Sequence, residues 1–374
     1  MIYMKIAFIT TYDFAVPGGV RNHILALANE LIRLGHDVRI LAPSSRSNQM
    51  LNIPYLIPVA DFPKATNTWF IPPHLLIHYR VIKKIQAILH QESFDLVHIH
   101  EPLLPPVCLS ALVFTKSPLF ATFHTYYEHG QPMYRLFKPL FNHWLKRLKG
   151  RITVSASSCS YINQYFPYEY QIIPNGVDVA KYAYPIFPSA ERDNESIDLL
   201  FIGHAQFKRK GLPFLIEAYR LLKPHNPKLR LIIAGSRWFG RNGADIPADI
   251  PDIINLGMVD EEKLISLYQS ATVFCSPAIG NESFGIVLIE AMAAGAPIVT
   301  TSIEGYANVV QHNHNALVVP PKDSYALAQA IQQLIDDPVL REQLIKQAKI
   351  SVQQYSWDTV AKRVLTYYER MMSF

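Results

Sequence analysis

Several familiar chemistries lack their signatures here. Three cysteines occur in 374 residues, Cys108, Cys159 and Cys275, with no CxxC pair. That excludes a disulfide scaffold and the usual structural zinc set, and it suits a reducing compartment. Neither GxGxxG nor GxxxxGK[ST] is present, so NAD and ATP lose their best sequence evidence. No Asp-x-Asp occurs, which removes a common way of holding a divalent cation on a diphosphate. The most apolar run, 103–114, is about half a membrane span and contains two prolines. The opening ten residues carry one lysine and a short apolar run without a following small-residue cleavage site, which reads as a first β-strand rather than a signal peptide. A chain in the cytoplasm, free or held peripherally on the inner face of a membrane, is the expectation.

What is present favours large cores. Hydrophobic residues make up 49% of the chain, and its length suits two domains. The net charge of +5 is uneven: residues 1–183 hold 17 basic and 10 acidic groups, or +7, and the rest hold 18 and 20, or −2. A basic first half implies anionic partners. Short apolar segments recur at 6–10, 37–42, 96–99, 120–123, 152–155 and 172–173. After a polar stretch they resume at 199–202, 231–234, 253–256, 273–275, 298–300 and 317–319. Helical patterns at 211–222, 261–270, 286–295 and 324–336 lie between them. Near-continuous apolarity suits strands covered on both faces, and parallel strands need crossover helices. The fold class is therefore α/β, with two doubly wound Rossmann-like domains facing across a cleft. The expected divisions are 1–183, 184–355 and a last helix within 356–374 that crosses back to the first domain.

In such sheets ligands bind beyond the carboxyl ends of strands, and the polar outliers fall there. Pro17-Gly18-Gly19-Val20 opens a helix whose start can receive an oxyanion, or is a plain tight turn. His124 closes one strand, placed for a substrate hydroxyl or a loop carbonyl. His98 and His100 share one strand face, with no third metal ligand apparent in the sequence, so no metal site is expected. Glu101 follows them. Gly203-His204-Ala205-Gln206-Phe207-Lys208-Arg209-Lys210-Gly211 sets three cations where they can neutralise a diphosphate without a metal, or form a solvated charge run. Asn281-Glu282-Ser283-Phe284-Gly285 leads into a helix bearing Glu290. N–H groups of Ser283, Phe284 and Gly285 suit a phosphate, and the two carboxylates, about 12 Å apart if helical throughout, suit a sugar hydroxyl and a ribose diol.

The first half also offers an acceptor or membrane side. Arg80, Lys83 and Lys84 share one face of segment 76–90, opposite Ile77, Val81, Ile85 and Ile88. Segment 131–151 holds Arg135, Lys138, Lys146, Arg147, Lys149 and Arg151 with no acid. These could hold an anionic leaflet or simply pack on a sheet. Nucleic acid fits poorly, since no stacking platform or recognition motif accompanies the charge.

Taken together, Gly18-Gly19-Val20-Arg21-Asn22-His23, Gly35-His36-Asp37-Val38, His98-Ile99-His100-Glu101-Pro102, Ala121-Thr122-Phe123-His124, Ile173-Pro174-Asn175-Gly176-Val177-Asp178 and segment 281–295 resemble the retaining glycosyltransferases of family 4, with the GT-B fold. The first half is similar to their phosphatidylinositol α-mannosyltransferase branch. The resemblance implies that Gly19 binds phosphate through its backbone and that His124 contacts the transferred sugar. It also implies that Arg209 and Lys210 steady the diphosphate, that Glu282 holds sugar hydroxyls and that Glu290 holds the ribose. Gly203 and His204 complete the donor set, while Asp13 and Arg21 join the acceptor side. It further implies a nucleotide-sugar donor, GDP-mannose foremost and a UDP-sugar as the alternative, with a lipid or sugar acceptor and no tightly bound cofactor. Two departures stand out. Gly203-His204 replaces the family's usual Gly-Arg, making charge there conditional on histidine protonation and leaving open a catalytically silent nucleotide-sugar binder. Segment 61–70 replaces the branch's Tyr-Asn-Gly-Ser stretch, leaving open a different acceptor.

Overall fold

A computed structural model describes residues 3–46, 51–61, 79–185, 196–203, 207–235 and 250–372. The chain forms two compact units. One runs to Gly176 and takes up the segment from Trp357 onward; the other is Val177–Ser356.

The first unit holds a seven-stranded sheet of β1 (Lys5–Thr10), β2 (Asp37–Ser44), β3 (Leu56–Asp61), β4 (Leu96–His100), β5 (Leu119–Phe123), β6 (Leu148–Thr153) and β7 (Gln171–Ile172). Its order is β3-β2-β1-β4-β5-β6-β7, and all pairs are parallel. The second unit holds β8 (Ile197–Ile202), β9 (Leu229–Ala234), β10 (Ile253–Gly257), β11 (Val273–Ser276), β12 (Ile298–Thr301) and β13 (Leu317–Val319). They lie in the order β10-β9-β8-β11-β12-β13, again parallel. Both sheets are doubly wound as expected. Each reverses direction beside its first strand, between β1 and β4 and between β8 and β11, and such switch points are where α/β sheets receive ligands.

β3 is missing from the apolar segments read in the sequence because Pro58 interrupts it. The strand lies at the sheet edge, where proline is tolerated because no ladder hydrogen bond is lost. β6 begins at Leu148 rather than Ile152, and its first half, Lys149-Gly150-Arg151, carries no apolar signal.

The last helix, Trp357–Met372, buries Val360, Ala361, Val364, Leu365, Tyr367 and Tyr368. They join Ile6, Phe8, Ile24, Leu27 and Phe120 in one apolar cluster of the first unit. Each such side chain removed from water contributes roughly 1.5–3 kcal/mol before its ordering cost, so this helix is part of the first unit's core. Among the described residues no helix is long and apolar enough to cross a membrane.

The basic segment 131–151 is not one surface. Residues Pro132–Leu136 and Lys138–Leu145 form two short helices, whereas Lys149 and Arg151 lie on β6. Arg147 donates to the carbonyls of Leu112, Val113 and Thr115, satisfying the open end of helix Val107–Phe114. Arg151 stacks on Tyr168 at 4.1 Å and donates to Leu145 O at 2.8 Å. Those two cations are engaged in holding the fold together, so of the two alternatives for this segment, leaflet or packing, they take the packing one. Replacing Arg147 with Ala removes the cap on helix Val107–Phe114 and is expected to cost about 1–2 kcal/mol. Thermal unfolding against wild type measures this, and an unchanged midpoint would show the cap to be inconsequential.

Candidate active site

In the second unit the site grows from the ends of β8 and β11. β8 delivers Gly203, whose N–H bonds Ala234 O at 2.9 Å. His204 lies outside the described residues. The chain resumes as a 3₁₀ turn, Lys208–Lys210, capped by Gly211 at φ +73°. A Cβ on Gly211 would stand 1.8 Å from Pro277 O, so only glycine lets this turn lie against the segment after β11. Ile279 N–H to Arg209 O at 2.8 Å ties the two together.

That packing brings Glu282 between two cations. Its Oε1 pairs with Arg209 Nη1 and lies 2.8 Å from Lys210 Nζ, while Arg209 also donates to Asn281 O at 3.2 Å. Lys208 stays exposed. The Glu282 side chain is 11% exposed and that of Lys210 14%, so the trio is shielded enough for its charges to matter. One carboxylate against two cations leaves one positive charge over. The Glu282 backbone is pressed on Gly305, where an added Cβ would meet Glu282 O at 1.8 Å.

The helix bearing Glu290 starts only at Ile286, with Gly285 in the left-handed region as its N-cap. Residues 281–285 are not helical, so the 12 Å helical spacing expected between the two carboxylates does not apply. Ser283 and Gly285 sit just ahead of the helix start. The Phe284 ring is buried, packed edge-on to Tyr355 at 5.6 Å, so only its backbone can face a ligand. Glu290 accepts from Tyr268 Oη at 2.9 Å and from Tyr182. Burial pushes its pKa up to about 7, against the pull of the two hydroxyls. Neither tyrosine is marked by the sequence pattern, because Tyr182 comes from helix Val179–Ala183 and Tyr268 from helix Glu261–Ser270.

The first unit gathers a different set at the ends of β4 and β5. His98 and His100 share a face of β4, stacked at 4.6 Å. His98 is enclosed, its Nε2 2.7 Å from Thr122 Oγ1 and its Nδ1 bonded to Tyr368 Oη from the last helix. His100 Nδ1 meets His124 Nε2 at 3.0 Å. His23, from helix Gly19–Arg33, packs on His124 at 4.8 Å and holds Asn175 Oδ1 at 2.9 Å. Glu101 has φ +60°, and its Oε1 accepts from His124 N–H at 2.7 Å and Thr125 Oγ1 at 2.6 Å. Burial lowers the pKa of all four histidines, His23 to about 4 and His98 to about 3, and holds His100 and His124 well below the ordinary value. All four are neutral near pH 7.

Spacing suggested a lone pair, His98 and His100, but the fold adds His23 and His124. One ring nitrogen each of His23, His100 and His124 lies within 4.8 Å of the others, a donor type that borderline divalent metals accept. The facing nitrogens of His100 and His124 are already bonded to each other, so the set is in use as a hydrogen-bond network.

Gly19 is the first residue of its helix, whose N-terminus has no side-chain cap. Asp13 Oδ1 accepts from Ala15 N at 2.9 Å and Ser45 N at 3.0 Å, and Arg21 Nε donates to Phe14 O at 3.2 Å. Both brace the loop after β1. Arg80, Lys83 and Lys84 are exposed on helix Tyr79–Gln91, whose Val81 and Ile85 are buried in the sheet's core. Residues 76–78 of that segment and 62–70 of the 61–70 segment lie outside the described residues.

Two parallel, doubly wound sheets with these strand-end sets have the architecture of a GT-B glycosyltransferase. Residues 17–181 match the family model for Glycosyltransferase Family 4, and 185–351 that for Glycosyl transferases group 1. A phosphatidyl-myo-inositol mannosyltransferase of Mycobacterium leprae is 32% identical over 98% of this chain and 96% of its own length. A protein of the same name from Propionibacterium freudenreichii is 29% identical over 98% and 94%. A glycosyltransferase crystal structure from Rickettsia africae superimposes with a TM-score of 0.77 at 20% identity, covering 99% of this chain and 100% of that one. Anabaena HepE in complex with UDP-glucose gives 0.74 at 19%, covering 98% and 100%. The chain belongs to glycosyltransferase family 4, and it is a glycosyltransferase.

Glu290 generates a stability test. Its folded pKa lies above that of the unfolded chain, so its contribution is fully present below about pH 4.5 and is lost as pH rises through about 7. Between pH 5 and 8 wild type is expected to lose on the order of 2 kcal/mol from this group, and Glu290→Gln to lose much less. Parallel pH dependence of unfolding in the two proteins would contradict this.

Proposed function

We propose that the chain transfers mannose from GDP-mannose, with retention of anomeric configuration, to a phosphatidylinositol-type acceptor at a membrane surface. The observation that carries the donor side is the Arg209–Glu282–Lys210 trio, set on a glycine-capped turn beside Gly203. A diphosphate would compete for the two cations and draw them off the carboxylate. Glu282 would then be free to accept from sugar hydroxyls. The acceptor oxygen bonds to the anomeric carbon as the bond from that carbon to the phosphate oxygen breaks. The acceptor proton passes to the departing diphosphate on the same face. Arg209 and Lys210 stabilise the charge that develops there, with the N–H of Gly19 as a further donor. His124 contacts the transferred sugar, and ionised Glu290 accepts from both ribose hydroxyls. Mannose and the inositol lipid are supported by the names of relatives similar along nearly the whole chain.

The membrane side is supported by a patch on the two short helices. Leu136 is 75% exposed, and Phe137 and Leu140 are 44% and 45%, interleaved with exposed Arg135 and Lys138. Apolar side chains among cations suit the boundary of an anionic leaflet, where Arg80, Lys83 and Lys84 would add charge.

Saturation kinetics with GDP-mannose and UDP-glucose test the donor. A preference for UDP-glucose would replace the mannosyl reading with a UDP-sugar one, and donor binding without turnover on any acceptor would mark a silent binder. Glu282→Ala is expected to lower turnover by at least about a hundredfold with the fold intact. Below about pH 7 the KM for the donor should rise as Glu290 takes up its proton, and Glu290→Gln should abolish that dependence. Leu136→Ser with Phe137→Ser is expected to weaken flotation with anionic phosphatidylinositol vesicles. Unchanged flotation would remove the patch from the acceptor side.

A further inference from the structure

The hydrogen bond behind His124 constrains more than its position. Two imidazole nitrogens 3.0 Å apart, His124 Nε2 and His100 Nδ1, share one proton, so one donates and the other accepts. The two possible arrangements differ at the far nitrogens. If His124 Nε2 holds the proton, neutral His100 must carry its own on Nε2. That atom is fully buried and has no hydrogen-bond partner among the described residues. If His100 Nδ1 holds it, Nε2 of His100 is a bare lone pair. A buried N–H without an acceptor is the rarer and costlier defect of the two.

Packing keeps His100 from exchanging its nitrogens. His98 lies parallel to it at 4.6 Å and 7°, and Phe8 stands edge-on at 5.4 Å. His23 closes a third side at 5.5 Å. The ring has no exposed surface, so a half-turn would have to displace all three neighbours. His98 is itself held by Thr122 and Tyr368, which fixes the parallel wall. Glu101 holds the backbone of His124 from the other end.

We propose that His100 is a positioning residue that selects the tautomer of His124: its Nδ1–H donates to His124 Nε2, so His124 carries its proton on Nδ1 and meets the transferred sugar as a hydrogen-bond donor. This rests on the reading of His124 as the sugar contact, and deepens it. A neutral donor at that place favours a sugar or phosphate oxygen, above all one that gains charge as the diphosphate leaves. The neutrality of the cluster, enforced by burial, keeps the arrangement from being lost to a second proton.

The test uses the full chain with ¹⁵N-labelled histidines and no donor. Two-bond ¹H–¹⁵N correlations read the tautomer, and His124 is assigned by the signal lost in His124→Gln. Protonated Nδ1 and bare Nε2 on His124 are expected; the opposite tautomer overturns the proposal. In kinetics, His100→Leu is expected to lower kcat about tenfold with little change in the KM for the donor. His100→Asn, whose amide N–H falls near the lost Nδ1–H, should restore most of it. Equal losses in the two variants overturn the positioning role, and the wild-type spectrum decides the tautomer even if neither variant folds. Unchanged turnover in His124→Ala would instead remove His124 from the sugar contact while leaving the spectrum to stand, so the two failures are distinguishable.

Discussion

A parallel ladder cannot be closed by a hairpin. Each strand must be followed by a crossover, and every strand of a sheet therefore delivers its carboxyl end to the same edge. In both units that constraint decides which residues can meet. His100 ends β4 and Glu101 follows it, His124 follows β5, Gly203 follows β8, and the segment leading to Glu282 follows β11. Residues far apart in sequence become neighbours because their strands pair, as His100 does with Thr122 two residues before His124. Sheet order matters as much as direction, since each unit's set stands beside the strands where winding reverses.

The two units solve the problem of shielded polar groups differently. In the second, charge is paired with charge and one positive charge is left over: two cations share Glu282, and Glu290 is left to two tyrosine hydroxyls that cannot neutralise it. In the first, the ionisable groups give up their charge. Four histidines are held neutral by burial; His100 bonds His124, and His23 and His98 bond Asn175, Thr122 and Tyr368, leaving only Nε2 of His100 buried without a partner among these rings. Paired charge is suited to exchange with an anion, whereas a neutral network is suited to fixed geometry.

Much of this fold is legible in the sequence, for a physical reason. Strands buried on both faces must be apolar throughout, and this marks most of them. The edge strands β7 and β10 are part-exposed but still carry isoleucines, so eleven of the thirteen described strands stand out in the sequence, and β6 in its second half. β3 is hidden because an edge tolerates Pro58, and the start of β6 because Lys149, Gly150 and Arg151 carry no apolar signal. That candidate residues such as His124 and Arg209 come after strand ends is legible too. Their supporting partners are not. Tyr182 and Tyr268 around Glu290, and His23 and Asn175 near His124, reach their places from other elements, and periodicity says nothing about such encounters. His23 and Asn175 stand inside segments that resemble family 4, but nothing in their spacing gives them a role. Likewise the charge of Arg147 and Arg151 is visible in the sequence, whereas the carbonyls and the ring that occupy it are not.

The last helix has a consequence for the order of synthesis. Tyr368 bonds His98, and Val360, Val364 and Leu365 share a core with Ile6 and Phe8, so the first unit is assembled from both ends of the described chain. The second unit is a continuous stretch, Val177–Ser356. As a nascent chain emerges from its amino terminus, the second unit has all its residues while the first still lacks a wall. The part begun first is completed after the second unit, and His98 lacks its Tyr368 partner until the helix Trp357–Met372 has emerged.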